Sequence, residues 1–381
     1  MTERLPSSGR SGTRRAWVAR MAALAIALNG LLVVAPIAVD TATATTGCGL
    51  HYVAGGDDVP AGNEVSASQT YPSHLSTDHL STYGAWCTYA LAANGTTSSS
   101  YISGGQMATS AMRQPDLVTL TLGEQNSSIV DLIDSCYKKI KDNDFTGATT
   151  CAVAVSANSS AFSSLTTNLT TMFGMYKTIM AGRPRLVVAV TGYANPYPAA
   201  TDAITNMLIL CPKLIDTVAT CITRWGQLPM ALTAIDLAIQ KLNTTIKNAV
   251  APFATGSGGR FVYVDTYTKT RSHCMKMDVS IKTSVNHTTF QDEHDADQDF
   301  GCSSPWYVAQ SDVSTIPTYL EPAADGVLIT ETQQVSGMGI HLNDDGQKCV
   351  SDLIWNAPTI DGTPLKWKLG VPEAVNTNVC S

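Results

Sequence analysis

Basic charge is scarce in this chain: Lys and Arg together number 24 of 381 residues, against 31 Asp and Glu, for a formal net charge of −7. Without a basic patch there is no electrostatic footprint for a phosphate backbone, and nucleic acid is excluded as a partner. Apolar runs of membrane length are missing after Val39, so the remainder reads as a soluble globular protein. No Cys-x2-Cys pair occurs, which removes the usual spacing of a structural zinc site. There is no G-x-S-x-G nucleophile elbow either, and no internal repeat.

What the chain does have begins with residues 1–46. Arg10, Arg14, Arg15 and Arg20 precede an apolar stretch from Met21 to Val39, broken only by Asn29 and Pro36. Ala42-Thr43-Ala44 then offers a small-residue cleavage site, so the order is that of a secretory signal peptide. Thr13-Arg14-Arg15 loosely resembles a twin-arginine signal. The alternative is membrane anchoring by an uncleaved leader, since the apolar run nearly reaches the roughly 20 residues a spanning helix needs. The expected location is secreted or extracellular, with attachment to the cell surface if the leader stays.

Ten cysteines follow: Cys48, Cys87, Cys136, Cys151, Cys211, Cys221, Cys274, Cys302, Cys349 and Cys380. An even number in an exported chain reads as a disulfide framework whose connectivity does not follow from sequence. Near-neighbour pairs, Cys136–Cys151 and Cys211–Cys221, are the favoured ones because they close short loops between helices.

Short apolar runs at Leu50–Ala54, Leu117–Leu122, Leu186–Val190 and Phe261–Val264, with a weaker one at Trp86–Leu91, read as buried parallel strands. Between them lie helical spacings: Ile129, Ile133, Cys136, Ile140; Leu165, Leu169, Met172, Tyr176, Ile179; and Ile235, Ile239, Leu242, Ile246. Alternating strands and helices imply one doubly wound α/β domain over residues 47–355. Residues 271–319 read as an irregular acidic insertion bracketed by Cys274 and Cys302, and 356–381 as a tail held by Cys380. In such a sheet ligands sit beyond the carboxyl ends of the strands.

Four segments stand at those ends. The first strand runs into Gly55-Gly56-Asp57-Asp58; the second is followed by Asn94-Gly95; the third ends in Gly123-Glu124-Gln125-Asn126. Near the C-terminus comes Met338-Gly339-Ile340-His341-Leu342-Asn343. Together they supply a tight glycine turn, an unobstructed backbone N–H, a side-chain amide and a histidine, which are the parts of an oxyanion hole beside a general base.

In this order the segments resemble the SGNH, or GDSL-type, family of esterases and lipases, over about Leu50 to Trp355. The cysteine-framed insertions are similar to those of secreted actinobacterial lipases in that family. The resemblance implies a flavodoxin-like three-layer sandwich with a five-stranded parallel sheet, here disulfide-stapled. It also implies a serine nucleophile in G-D-S, an oxyanion glycine and asparagine, and a D-x-x-H-P motif. This chain has Asp58 at the serine position, Met338 at the aspartate position and Leu342 in place of the proline; Gly95 and His341 match, and the asparagine position falls on Gln125 or Asn126.

Those departures exclude a serine mechanism. A carboxylate has no proton for a histidine to take, and it places negative charge beside the oxyanion that the hole must stabilise. Loss of the orienting aspartate alone costs about 10⁴ in turnover in a serine protease. The expected catalytic group set is therefore Asp58, Glu124 and His341, with Gly95, Gln125 and Asn126 lining the oxyanion or substrate side. An inward Glu124 would pair with Asp58 for acid–base work or cation binding; the alternative is a solvated glutamate over a vestigial pocket.

No cofactor and no metal are expected. Asp295, Asp297 and Asp299 suggest a calcium loop, but Phe300 and Trp306 occupy the positions where an EF-hand needs glycine and glutamate. His51 reads as structural, and Ser98 to Ser100 as capping residues. Asn94, Asn126, Asn158, Asn168, Asn243 and Asn286 each begin an N-x-Ser/Thr sequon. The function expected is a degenerate or non-serine ester hydrolase of this type, and the alternative is a catalytically inactive surface protein that binds carbohydrate or lipid. The partner is a small-molecule ester, lipid or carbohydrate; oligomeric state is open.

Overall fold

The computed structural model describes residues 47–63, 65–126, 135–136, 138–139, 144–197, 199–201, 228–273, 276–286, 291–301, 307–319, 328–374 and 380. Residues 1–46, on which the leader reading falls, lie outside them, as do Cys211, Cys221, Cys274 and Cys302. Among the described residues no helix is long and apolar enough to cross a membrane.

Five strands form one parallel sheet: β1 (Leu50–Gly56), β2 (Trp86–Ala90), β3 (Leu117–Thr121), β4 (Val187–Thr191) and β5 (Phe261–Val264). Their order is β2-β1-β3-β4-β5 and all four pairings are parallel. Every residue of β3 and β4 is buried, as expected of parallel strands covered on both faces. Helices lie on both sides of the sheet, so the architecture is the flavodoxin-like three-layer sandwich.

Besides the single turn Tyr71–His74, the helices are α1 (Asp58–Ala61), α2 (Ser98–Ser103), α3 (Gln106–Met112), α4 (Phe145–Ala157), α5 (Ser159–Gly182), α6 (Leu228–Gly256), α7 (Thr266–Thr270), α8 (Asp344–Asn356) and α9 (Leu365–Lys368). Their starts are set locally. Thr97 caps α2 by accepting the Ser100 N–H, Asn158 caps α5 and Asn343 caps α8. On α5 the buried residues Phe162, Leu165, Leu169, Met172, Phe173, Tyr176 and Met180 recur at helical spacing and make one core-facing stripe. Each large apolar side chain there contributes about 1.5–3 kcal/mol by leaving water. Phe173, Phe253 and Phe261 pack as a triad, with ring centroids 5.4–5.7 Å apart, tying α5 and α6 to β5.

The core also holds a buried hydroxyl chain. Tyr101 donates to the Tyr176 hydroxyl at 2.6 Å, and Tyr176 donates to Ser110 Oγ at 2.9 Å. Tyr176→Phe strands both partners in an apolar site, and we expect a loss of about 1–3 kcal/mol on thermal unfolding. An unchanged melting temperature would mean that the chain of hydroxyls contributes nothing.

Three disulfides staple the described residues: Cys48–Cys87, Cys136–Cys151 and Cys349–Cys380. The short pair expected at Cys136–Cys151 is present. The last one holds the tail, which Lys366 also pins: its buried Nζ donates to Asn356 Oδ1 at 3.0 Å and to the Ala374 carbonyl at 2.6 Å.

The segment read as irregular departs from that expectation. It contains β6 (Lys276–Asn286), β7 (Gln291–Gly301), β8 (Tyr307–Tyr319) and, beyond it, β9 (Leu328–Leu342). They form an antiparallel sheet in the order β7-β6-β9-β8. β6 carries the period-two alternation of a strand, with Met277, Val279, Ile281 and Val285 set between polar residues, whereas the acidic β7 has no such period and is defined by its backbone pairing to β6. Asp295, Asp297 and Asp299 lie within β7, paired to β6, and not in a calcium loop.

Candidate functional site

The order β2-β1-β3 places the switch point of the sheet between β1 and β3, where ligands of such folds bind. Four of the six residues expected at the site meet there. Gly56 ends β1 with φ +136°, and an added Cβ would lie 2.2 Å from the Thr121 carbonyl oxygen of β3. Only glycine fits so close an approach at that φ. The chain then turns sharply: the Asp57 N–H donates to the Thr121 carbonyl at 3.0 Å, and Asp57 caps α1. The turn is braced from α3, where Gln106 Oε1 accepts the Gly56 N–H at 3.2 Å and Gln106 Nε2 donates to Thr96 at 3.0 Å.

Asp58, the next residue, is buried and presents its carboxylate to two donors. The Gly95 N–H donates to Oδ1 at 2.5 Å and the Gln125 side-chain amide donates to Oδ2 at 3.2 Å. Gly95 itself is exposed, with φ +75° and open space around it. Asn126, the alternative to Gln125, turns the other way: its Oδ1 accepts the Ser98 N–H at 2.6 Å and so fixes the start of α2. The two candidates for the amide position thus separate, one onto Asp58 and one onto a helix end.

Glu124 is buried, which overturns the solvated reading, and its charge acts on Asp57. Burial, then the Glu124 charge, hold the fully buried Asp57 carboxyl well above the usual carboxylate range; Asp58 adds to this and a hydrogen bond from Tyr193 opposes it. Tyr193 was not apparent from sequence. Its hydroxyl donates to Asp57 Oδ2 and accepts the Glu124 N–H, the latter at 3.1 Å. Burial, followed by the Asp57 and Glu124 charges, pushes that hydroxyl well above its ordinary pKa. Tyr193 is held by its backbone: its N–H donates to Asn243 Oδ1 at 2.7 Å, and Asn243 Nδ2 donates to its carbonyl at 2.9 Å. The signal was available, since Gly192-Tyr193 directly follows a buried strand and strand ends are where ligands sit.

His341 is the penultimate residue of β9, two ahead of the cap of α8; its side chain lies outside the described residues. The start of α8 is nevertheless anchored at the site. Gln347 donates to the Val59 carbonyl at 3.2 Å and accepts the Tyr71 N–H at 2.9 Å, while His74 Nε2 bonds Asp344 at 2.9 Å. Met338 pairs with Ala309 in the antiparallel sheet. His51 stands at the opposite end of the parallel sheet, its ring bonded to the Arg113 carbonyl. Among the described residues no group of three or more His, Cys, Asp or Glu could hold a metal ion.

Chemically, a backbone N–H and a side-chain amide that hold one anionic group between them, here one on each oxygen, are donors of the kind an oxyanion site uses. Here the anion they hold is the chain's own carboxylate.

No protein-family model and no curated protein matches the chain. Solved structures do. They include an extracellular lipase from Streptomyces rimosus at 15% identity, covering 68% of this chain and 88% of the lipase, with a TM-score of 0.43. A member of the lipolytic G-D-S-L family from Veillonella parvula matches at 10% identity over 58% of this chain and 79% of its own, with a TM-score of 0.32. A family 3 carbohydrate esterase from Clostridium thermocellum matches at 13% identity over 57% and 79%, with a TM-score of 0.33. Likenesses this distant say nothing by themselves about the chemistry of this chain.

Proposed function

We propose that this is an exported SGNH-type protein whose strand-end cleft binds an ester, lipid or carbohydrate ligand without hydrolysing it through an acyl-enzyme. The observation that carries this is the double grip on Asp58: Gly95 and Gln125, the donors an acyl-transfer transition state would need, are engaged by a carboxylate at the nucleophile position. Donors accelerate acyl transfer only when aimed at the oxygen on which charge develops. A second anion placed there would meet the Asp58 charge at close range. The leader pattern and the three disulfides support export to an oxidising compartment.

One observation favours a second reading, hydrolysis by a non-serine route. Asp57 and Glu124 form a buried acid pair next to Asp58 in the chain turn, and burial with the Glu124 charge raises the Asp57 carboxyl well above the usual carboxylate range, the direction an acid group needs. Asp58 and His341 would then be the working groups.

Hydrolysis of short- and medium-chain p-nitrophenyl esters by the chain lacking its leader separates the two, with Asp58→Asn and His341→Ala assayed alongside. The binding reading expects no turnover above either variant. Turnover by the parent that disappears in both variants, and that resists serine-directed phosphonates, would overturn it in favour of the second.

A further inference from the structure

The loop that grips Asp58 carries a chemical liability of its own. Asn94-Gly95 is the only Asn-Gly step after residue 46. Such steps are prone to attack by the glycine nitrogen on the preceding side-chain amide, because no Cβ shields that nitrogen. The attack requires the nitrogen to give up its proton. In this fold that N–H already points at a carboxylate oxygen, Asp58 Oδ1, at 2.5 Å. Asn94 and Gly95 are both exposed, so water reaches the loop, and nothing lies within 4 Å of where a Gly95 Cβ would be. The Asn94 amide is steadied by a surface hydrogen bond from its Nδ2 to Asn63 Oδ1 at 3.2 Å.

We propose that Asn94 is a self-modification site, at which Asp58 serves as the base for closure of the Asn94-Gly95 step to a cyclic imide. The Gly95 nitrogen forms a bond to Asn94 Cγ while its proton passes to Asp58. The Cγ–Nδ2 bond breaks, the proton moves from Asp58 to the departing nitrogen, and ammonia leaves. Water then opens the imide at one of its two carbonyls, giving aspartate or isoaspartate at position 94, with Asp58 regenerated and no change of oxidation state. The imide has no Gly95 N–H, so while it persists one of the two donors that hold Asp58 is gone. Opening restores the N–H but leaves a new carboxylate beside Asp58. Neither step depends on whether the cleft binds or hydrolyses its ligand.

Peptide mapping by mass spectrometry, with aspartate and isoaspartate forms separated, reads the reaction directly. The native chain, native Asp58→Asn, and the parent held reduced and unfolded in urea would be incubated in parallel near neutral pH. We expect the native parent to convert position 94 at least about a hundredfold faster than Asp58→Asn, the low side of what a positioned base contributes. It should also outpace the unfolded chain, whose rate is that of the bare sequence. A native rate no higher than the unfolded one, or one unaltered by Asp58→Asn, overturns the proposal. So does a glycan on Asn94 Nδ2, which would remove the leaving group. Should Asp58→Asn fail to fold, the comparison of native with unfolded parent decides alone.

Discussion

Replacing Gly56 by alanine is expected to destabilise the protein by about 4 kcal/mol or more, a loss of the size reserved for a few named mechanisms. Two act together at this position. The new Cβ would sit 2.2 Å from the Thr121 carbonyl and 3.0 Å from Pro60 Cγ, and the backbone φ of +136° is one that side-chain-bearing residues rarely adopt. The obstruction is the backbone of the neighbouring strand at the carboxyl end of a buried sheet, so it cannot swing aside as a side-chain end would. Relief requires β1 and β3 to part where their register is Gly56 against Thr121. Thermal unfolding checks this: a drop of about ten degrees is expected for a domain of this size. A variant melting within a degree or two of the parent would show that the turn after β1 is more compliant than its geometry says. The same turn aims Asp58 at Gly95 and Gln125, so the variant should also lose whatever the cleft binds.

The second large effect has the opposite sign. Asp57→Asn is expected to stabilise the protein at neutral pH by about 1–3 kcal/mol, the range for relieving a badly compensated buried polar group. Burial first, and the Glu124 charge second, raise the folded-state pKa of Asp57 above its unfolded value. A carboxyl raised on folding supports the fold fully below its unfolded pKa, and that support is lost as pH rises through the folded one. The amide keeps an oxygen to accept the Tyr193 hydroxyl and carries no charge at any pH. The difference between variant and parent should therefore be near zero around pH ~4, close to the unfolded carboxyl pKa, and should grow toward neutrality. Denaturant unfolding at a series of pH values measures it. A variant that is less stable than the parent throughout would mean that the Asp57 proton, not its absence, holds the turn together.

Much of the sheet was legible because parallel strands covered on both faces read as uninterrupted apolar runs. Phe261–Val264 coincides with β5, and the runs at Leu50, Trp86, Leu117 and Leu186 locate β1 to β4 within two residues at either end. The spacings from Leu165 and Ile235 fall inside α5 and α6, whereas that from Ile129 falls mostly outside the described residues. The second sheet was only partly legible: Met277, Val279, Ile281 and Val285 alternate with polar residues along β6, a strand period that the reading of 271–319 as irregular passed over, whereas the acidic β7 carries no hydrophobic period to betray a strand. At the site, glycine turns and strand ends pointed to Asp58, Gly95 and Gln125. What they could not reveal is a partnership across distant chain positions: Tyr193 reaching Asp57, 136 positions away along the chain, is set by sheet order alone. The same holds for Glu124, whose burial follows from the neighbour it meets and not from its own type.

Asn243 begins a sequon, Asn243-Thr244-Thr245, yet its side-chain amide is buried and spans the backbone of Tyr193 from both ends. The nitrogen that would accept a glycan is the one that donates to the Tyr193 carbonyl. Modification and folding therefore compete for a single atom, and the order of events decides the product. A chain that docks α6 before the transferase arrives closes the sequon for good; a chain modified first cannot seat Tyr193 against Asp57 and Glu124. In a glycosylating secretory pathway the yield of folded protein is thus a race between two clocks, whereas in a host that does not glycosylate the race is never run.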